Sequence, residues 1–163
     1  MTDLWWKQMP QLSKGGKYVF GWSRVREDGG IRIPDEAMRE YHLKLNEEVV
    51  LMSGSKTSEG FSVAKKSSLE QSVFSRILDS NSKLASYQTE EGETINFPGR
   101  HCCWVRIRQG RVISVPPHTL ETYGVKPGDR LLSIRGSNIG FALIVRGPIV
   151  ETAKTHPEIR LFE

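Results

Sequence analysis

An internal repeat with a period of 82 residues constrains the fold of this chain more than any other feature. Shifting the sequence by 82 positions aligns Trp22–Ser55 with Trp104–Ser137 without a gap, and nine of the 34 aligned pairs are identical. Ordinary amino-acid usage would give about two identities by chance. The identical pairs are Trp22/Trp104, Arg24/Arg106, Arg26/Arg108, Ile31/Ile113, Pro34/Pro116, Tyr41/Tyr123, Lys44/Lys126, Gly54/Gly136 and Ser55/Ser137. The chain is therefore an internal duplication, and we expect both copies to adopt the same fold.

Each copy predicts the same order of elements: a strand, a glycine turn, a strand, a short helix and a closing strand pair. The segments Trp22–Arg26 and Trp104–Arg108 alternate apolar and polar residues, as a half-buried strand does. The second strand of each copy ends at a proline, where no ladder N–H is needed. The helices are predicted over 35–41 and 117–123, and the closing strands over 49–52, 61–64, 131–134 and 141–145.

The segment between the copies predicts one amphipathic helix. Over Ser67–Gln88 the apolar residues recur at helical spacing, with Ser67 as a candidate cap. The chain is thus expected to divide into five segments. They are an N-terminal segment 1–16 with Trp5 and Trp6, a first repeat 17–66, a helix and linker 67–99, a second repeat 100–147 and a C-terminal helical tail 148–163.

The composition excludes several classes of protein. Hydrophobic residues make up 37% of the chain and charged residues 26%, and both fractions are ordinary for a globular protein. No apolar run approaches the roughly 18 residues of a membrane-spanning helix, and the N-terminus lacks the pattern of a secretory signal. Two cysteines, Cys102 and Cys103, are too few for a disulfide framework. We therefore expect a cytoplasmic protein that has no membrane partner.

The neighbouring residues His101, Cys102 and Cys103 raise the alternative of a metal or thiol site. Adjacent residues on a strand point to opposite faces, so these side chains would make poor joint ligands. No second cysteine pair or histidine spacing completes a zinc site, and no nucleophile–base pair is visible in the sequence. We therefore expect core cysteines, no cofactor and no enzymatic activity.

Both copies resemble the AbrB/MazE/SpoVT swapped-hairpin module. Its signature is a strand, Gly-x-[Val/Ile]-x-[Val/Ile]-Pro, a short helix, then Gly-Leu-Lys-x-Gly-Asp and a strand pair. The first copy matches at Gly29–Pro34 and has His42 and Asn46 where glycines are expected; the second matches at Gly110–Val112 and Tyr123–Asp129. The resemblance covers about 90 residues. It implies a mainly β fold with short helices, in which both copies form one swapped-hairpin β-barrel as an intramolecular pseudo-dimer.

The resemblance also implies duplex DNA as the partner, with a role in transcription regulation and association with the nucleoid. Carried over by position, the DNA-contacting residues are arginines of the first strands, the hairpin turn and the helix: Arg24, Arg39, Arg106 and Arg111. Arg26 and Arg108 join them as the other members of the Arg-x-Arg pairs. Alternation places both arginines of an Arg-x-Arg pair on one face of their strand, a geometry that suits a phosphate backbone.

The charge is divided unevenly between the copies. The whole chain carries a net charge of +4, but Trp22–Ser55 has 5 basic and 7 acidic residues, whereas Trp104–Ser137 has 6 basic and 2 acidic residues. The second copy is therefore the better electrostatic footprint for DNA. The acidic first copy, the tryptophan-rich N-terminus and the inter-repeat helix favour an alternative, a protein-interaction or assembly module without DNA binding. An antitoxin is less favoured, since only about 15 residues follow the last strand, and self-association beyond the pseudo-dimer stays open.

Overall fold

The computed structural model describes residues 18–72, 75–97 and 99–163. The N-terminal segment 1–16, with Trp5 and Trp6, lies outside the described residues. The strands are β1 (Val19–Arg24), β2 (Gly30–Arg32), β3 (Glu48–Ser53), β4 (Phe61–Lys65), β5 (Ile95–Phe97), β6 (Arg100–Arg106), β7 (Val112–Ser114), β8 (Arg130–Arg135), β9 (Gly140–Ile144) and β10 (Leu161–Phe162). The helices are α1 (Asp35–Glu40), α2 (Lys66–Glu70), α3 (Ser75–Ser80), α4 (Ser82–Ala85), α5 (Pro117–Thr122) and α6 (Pro148–Ala153).

The expected fold class, mainly β with short helices, is confirmed. Over the described ranges there are ten strands, and no helix exceeds six residues. The prolines predicted to end the second strands, Pro34 and Pro116, stand at the N-cap positions of α1 and α5. A proline suits a helix start, because the backbone N–H that it lacks has no helical partner there. Within the described ranges no helix is long and apolar enough to cross a bilayer.

The two copies share one sheet, because each first strand pairs with the other copy's third strand. The order of the eight-stranded sheet is β10-β1-β8-β9-β4-β3-β6-β5. In it, β1 is antiparallel to β8 with Trp22 opposite Leu132, and β3 is antiparallel to β6 with Val50 opposite Trp104. A shift of 82 residues converts the first of these pairs into the second, so the two contacts are equivalent.

The second strands of the copies form a separate two-stranded ribbon. Strands β2 and β7 pair antiparallel, and Ile31 lies opposite Ile113, its own counterpart in the repeat. The last strands behave in the same way, since β4 pairs with β9. Two equivalent residues that face each other mark a local two-fold axis. The copies are therefore related by a pseudo-two-fold that passes through the centre of this ribbon.

No closed barrel is found among the described strands, contrary to the expectation. The eight-stranded sheet ends at β10 on one side and β5 on the other. Each of these end strands comes from a segment that follows a repeat, and each occupies the outer edge of a first strand: β10 lies beside β1, and β5 lies beside β6. Because those edges are occupied, the first strands do not close the sheet on themselves.

Three hydrophobic clusters surround the sheet. The largest contains buried residues from both copies, including Ile31 and Ile113 of the ribbon. A second cluster holds Trp104 and the apolar residues of α2 to α4, and a third holds Trp22 and those of α6. Both tryptophans are over nine-tenths buried, so they are core residues. The shared main cluster makes the two copies one folding unit.

The prediction of a single inter-repeat helix is wrong, because three short helices, α2 to α4, occupy that segment. Helix α2 begins at Lys66, so Ser67 is not its cap. Side-chain hydrogen bonds to backbone carbonyls accompany the breaks: Ser72 Oγ donates to Leu69 O and Asn81 Nδ2 donates to Ile77 O. Such bonds compete with the continuing helix. The apolar positions Leu69, Ile77, Leu78 and Leu84 are nevertheless buried, whereas Val73 and Phe74 lie outside the described residues.

Candidate nucleic-acid interface

Four arginines lie on the ribbon surface, which we define as residues 26–32 and 108–114. They are Arg26, Arg32, Arg108 and Arg111. Backbone bonds close both turns, since Arg26 N donates to Gly30 O and Arg108 N donates to Val112 O. Each turn lies beside the end of the other copy's second strand, since Arg32 Nη2 lies 3.7 Å from the position that a Cβ on Gly110 would take, and a Cβ on Gly29 would lie 2.3 Å from Val115 O. The β2–β7 ribbon thus carries arginines of both copies, with one turn at each of its ends.

The first Arg-x-Arg pair converges on Glu163. Arg24 Nη1 lies 3.3 Å from Glu163 Oε1, and Arg26 Nη2 donates to Glu163 O at 3.1 Å. The parallel pairing of β10 with β1 brings Glu163 to this position. Both guanidinium groups thus reach the same residue, although β1 ends at Arg24 and Arg26 lies beyond it. A carboxylate already neutralises Arg24.

The second Arg-x-Arg pair also meets a single glutamate, Glu91, but Arg106 contacts it through its backbone N–H. Arg108 binds the Glu91 carboxylate through two nitrogens, at 2.5 and 2.6 Å, while the backbone N–H of Arg106 donates to Glu91 Oε2 at 2.8 Å. Burial raises the pKa of the Glu91 carboxyl, but the hydrogen bonds from Arg108 and Arg106 more than reverse this, so its pKa lies below the ordinary value. Glu91 is therefore ionised at neutral pH, and Arg108 is held in place by it.

The two glutamates are supplied reciprocally across the pseudo-two-fold. Glu91 follows the first copy and binds the arginines of the second, whereas Glu163 follows the second copy and binds those of the first. Neither glutamate lies within the aligned repeat. Glu91 belongs to the linker between the copies, for which the sequence predicted no functional role. The repeated Arg-x-Arg spacing therefore identified the arginines, but nothing in the repeat predicted that Glu91 and Glu163 would bind them.

Arg111 takes a left-handed backbone conformation, with φ of 64°. Its repeat counterpart is Gly29, which has φ of 84°. The Arg111 side chain folds over the opposite strand, where its Nε donates to Ile33 O at 3.0 Å. Among the described residues it has no carboxylate partner. Arg111 thus adds a cation to the second turn at the position where the first turn has a glycine.

Arg39 stands apart from the other predicted residues. It lies on α1 and forms an i,i+4 ion pair with Asp35, with Arg39 Nη1 3.4 Å from Asp35 Oδ2. The arginine side chain is 67% exposed, so this pair contributes little to stability. Arg39 shares no partner with the arginines of the ribbon surface. Its repeat counterpart is Glu121, so the two helices present opposite charges.

The uneven charge of the copies is used in contacts between them. Arg106 Nη2 lies 2.8 Å from Glu48 Oε1, and Arg135 forms a bidentate ion pair with Glu40. In both pairs the acid belongs to the first copy and the arginine to the second. The basic excess of the second copy is therefore partly neutralised by the first. Arg130, by contrast, has no ion-pair partner in the part of the chain that the structure describes.

Both cysteines are buried on opposite sides of the sheet. Cys102 belongs to the Trp104 cluster and Cys103 to the main cluster. Burial raises the pKa of Cys102 to about 11 and that of Cys103 to about 12. Over residues 18–72, 75–97 and 99–163, no three His, Cys, Asp or Glu side chains are grouped as a metal ion would require. Neither thiol is placed to act as a nucleophile or a ligand.

Comparisons with protein-family models, with curated proteins and with solved structures found no match to this chain.

Proposed function

We propose that this chain is a DNA-binding transcription regulator that contacts duplex DNA through the ribbon surface. The observation that carries the proposal is the pseudo-two-fold at Ile31 and Ile113, which joins the arginine-bearing second strands and turns of both copies in one ribbon. Duplex phosphates are bound by cations that a rigid scaffold holds in register. The reciprocal pairing of first and third strands further supports a swapped-hairpin pseudo-dimer within one chain. Nucleoid association would follow from such binding.

The arginines of this surface differ in how available they are for phosphate. Among the described residues, the side chains of Arg111 and Arg26 bind backbone oxygens, and the buried Nε of Arg32 has no hydrogen-bond partner. Arg24, Arg106 and Arg108 are each paired with a glutamate. The first group can therefore take up phosphate without losing an ion pair, and we propose that it makes the primary contacts.

Fluorescence anisotropy with a labelled random duplex of about 30 base pairs tests the proposal. The double variant Arg32→Gln/Arg111→Gly is expected to lower affinity at least tenfold at low salt. The slope of log affinity against log salt is also expected to shrink by roughly 2, since two phosphate contacts are lost. Glycine is chosen at position 111 because Gly29 supports the equivalent turn.

The matched control is Arg76→Gln/Lys83→Gln, which removes the same charge from α3 and α4. It is expected to change affinity less than twofold. If both double variants weaken binding equally, general attraction rather than the ribbon surface explains the affinity. If the unaltered chain shifts no duplex at low salt, the proposal is overturned.

The ion pairs of the arginines support a second candidate, a protein-interaction or assembly module. Four of the carboxylates, Glu40, Glu48, Glu91 and Glu163, bind arginines that DNA would otherwise contact or that add to the basic surface. In this candidate the arginines stabilise the pseudo-dimer and leave no DNA surface. Salt-independent self-association by sedimentation, together with no duplex binding, would favour it. A mass of one chain together with duplex binding would favour the regulator.

A further inference from the structure

A cavity of about 510 Å³ opens beside Trp22, between β1 and α6. Its apolar wall includes Trp22, Val150 and Ile159, and Arg130, Lys154 and His156 also line it. A volume of this size is typical of pockets that hold small molecules. We call this space the Trp22 cavity. Nothing in the proposed DNA contact uses it.

The equivalent region around Trp104 is covered by the chain itself. The ring of Tyr87 packs edge-on against Trp104 with centroids 5.6 Å apart, and Trp104 Nε1 donates to Thr89 O at 2.9 Å. Burial, followed by the nearby charges of Glu48 and Glu47, raises the pKa of Tyr87. Those two acids are the repeat counterparts of Arg130 and Asp129, which line the Trp22 cavity. Tyr87 therefore packs on Trp104 in one copy, whereas in the other copy a cavity remains beside Trp22, which is itself 7% exposed.

The difference between the copies has a simple origin in the sequence. After β4, helix α2 is followed by α3 and α4, and the chain then delivers Tyr87 and Thr89 to Trp104. After β9, helix α6 is followed within eight residues by β10, so no equivalent of α3 and α4 is present in this described segment. Residues 154–160, which join α6 to β10, contain no Phe, Tyr or Trp that could take the place of Tyr87. The Trp22 cavity therefore has no counterpart of Tyr87, the aromatic ring that packs on Trp104.

The charge of the Trp22 cavity differs from that of its counterpart. Where Tyr87 has Glu48 nearby, the Trp22 cavity has Arg130, whose side chain has no ion-pair partner among the described residues. Asp129 is already engaged, since its Oδ2 accepts the backbone N–H of Lys126 at 2.8 Å. Lys154 and His156 add further nitrogen groups beside Glu151 and Glu158. An anionic group is thus favoured here over a neutral phenol.

We propose that the Trp22 cavity binds a small aromatic anion, with the ring packed against the apolar wall of Trp22, Val150 and Ile159 and the anionic group paired with Arg130. An aromatic ring packs on tryptophan with a favourable geometry that an aliphatic chain lacks. A guanidinium binds a carboxylate through two parallel hydrogen bonds. This inference stands apart from the proposed function, because none of the residues that line the Trp22 cavity belongs to the ribbon surface and the ligand is different. Its failure would leave DNA binding untouched.

Isothermal titration calorimetry with the full chain and three probes tests the proposal. The probes are 2-naphthoate, 2-naphthylmethylamine, which has the same ring with a positive charge, and octanoate, which has the same charge without a ring. Naphthoate is expected to bind at least tenfold more tightly than either of the others. Equal binding of the amine would overturn the role of charge, and equal binding of octanoate would overturn the role of the ring. No naphthoate binding at millimolar concentration would overturn the site.

Two substitutions locate the site. Arg130→Gln is expected to weaken naphthoate binding at least tenfold, whereas Lys126→Gln, an equal loss of charge on the exposed turn before β8, is expected to change it less than twofold. Amide NMR shifts on naphthoate addition are expected at Val150 and Ala153, with none at Tyr87. Equal effects of the two substitutions, or shifts confined to the Trp104 side, would place the ligand elsewhere and overturn the assignment. Both substituted residues are exposed, so folding is expected to survive.

Discussion

Glu48 and Arg106 are direct cross-strand neighbours on β3 and β6, and Arg106 Nη2 lies 2.8 Å from Glu48 Oε1. The 82-residue shift turns this pair into Arg130 and Arg24, which are direct neighbours on β8 and β1. The same place in the sheet thus holds opposite charges in one half and like charges in the other. Arg24 is offset by Glu163, but Arg130 is not. The pseudo-two-fold is therefore accurate for the backbone and broken in its electrostatics.

This asymmetry predicts that one substitution in the sheet stabilises the protein. Arg130→Glu would place a carboxylate opposite Arg24 and recreate the Arg106–Glu48 pair on the other side. Opposite-charge cross-strand pairs contribute about 0.2–1 kcal/mol and directly opposed like charges destabilise, so we expect the free energy of unfolding to rise by about 0.5–1 kcal/mol. Urea denaturation measures it. Arg130→Gln, which only removes the repulsion, should give a smaller gain, and a loss of stability in Arg130→Glu would contradict the prediction.

The Glu91–Arg108 ion pair predicts a gain of DNA affinity when the acid is removed, if the chain binds DNA as proposed. Glu91→Gln would leave Arg108 free to contact phosphate. We expect a gain of about fivefold at low salt, which corresponds to about 1 kcal/mol. Glu90→Gln is the matched control, because Glu90 is exposed and this substitution changes the net charge by the same amount. Equal gains in both variants would show that only net charge matters, and no gain in Glu91→Gln would mean that Arg108 does not reach DNA.

The same carboxylate predicts a pH dependence of stability. Burial raises the pKa of Glu91, and its hydrogen bonds from Arg108 and Arg106 lower it further than burial raises it. A depressed pKa in the folded state gives stability that is fully present above the unfolded value of 4.5 and is lost as the pH falls through the folded pKa. We therefore expect the free energy of unfolding of the unaltered chain to exceed that of Glu91→Gln by about 1 kcal/mol at pH 7. The difference should shrink towards pH 3, and a constant difference in urea denaturation at both pH values would contradict this.

The strands and their shared core were predictable, because both copies carry the alternation of apolar and polar residues that a half-buried strand requires. The repeat could not predict which residues lie at the edges, since β5 and β10 belong to segments outside the aligned positions. Glu91 and Glu163 reach the arginines only through those edge strands, so their roles depend on tertiary pairing. A bulge between Val19 and Gly21 also places Val19 on the same side as Trp22, which simple alternation does not predict.

The inter-repeat segment shows the limit of periodicity as a guide. Its apolar spacing correctly predicts that Leu69, Ile77 and Leu84 are buried. The spacing is insensitive to the side-chain hydrogen bonds of Ser72 and Asn81, which end α2 and α3. Burial was therefore predictable from composition and spacing, whereas helix continuity depended on local polar contacts.

Burial of the two cysteines predicts that neither thiol reacts in the folded protein. Their pKa values of about 11 and about 12 leave almost no thiolate at pH 8, and the thiolate is the reactive form. Ellman's reagent at pH 8 should label neither residue within an hour under native conditions and both at once in 6 M guanidinium. Rapid native labelling of one thiol would show an accessible site, and Cys102→Ala and Cys103→Ala would identify which.

Gly29 and Gly128 separate two costs of placing a side chain at a glycine: backbone strain and steric overlap. Gly29 has φ of 84° and a Cβ there would lie 2.3 Å from the backbone oxygen of Val115, whereas Gly128 has φ of 92° with nothing within 4 Å. A left-handed conformation costs a non-glycine residue roughly 1–2 kcal/mol. Gly128→Ala should therefore lower the free energy of unfolding by about that amount, and Gly29→Ala by clearly more, because the ribbon must also shift. Urea denaturation of both variants separates the two costs. Equal losses would mean that the β2–β7 ribbon yields freely, which would count against its use as a rigid surface for phosphates.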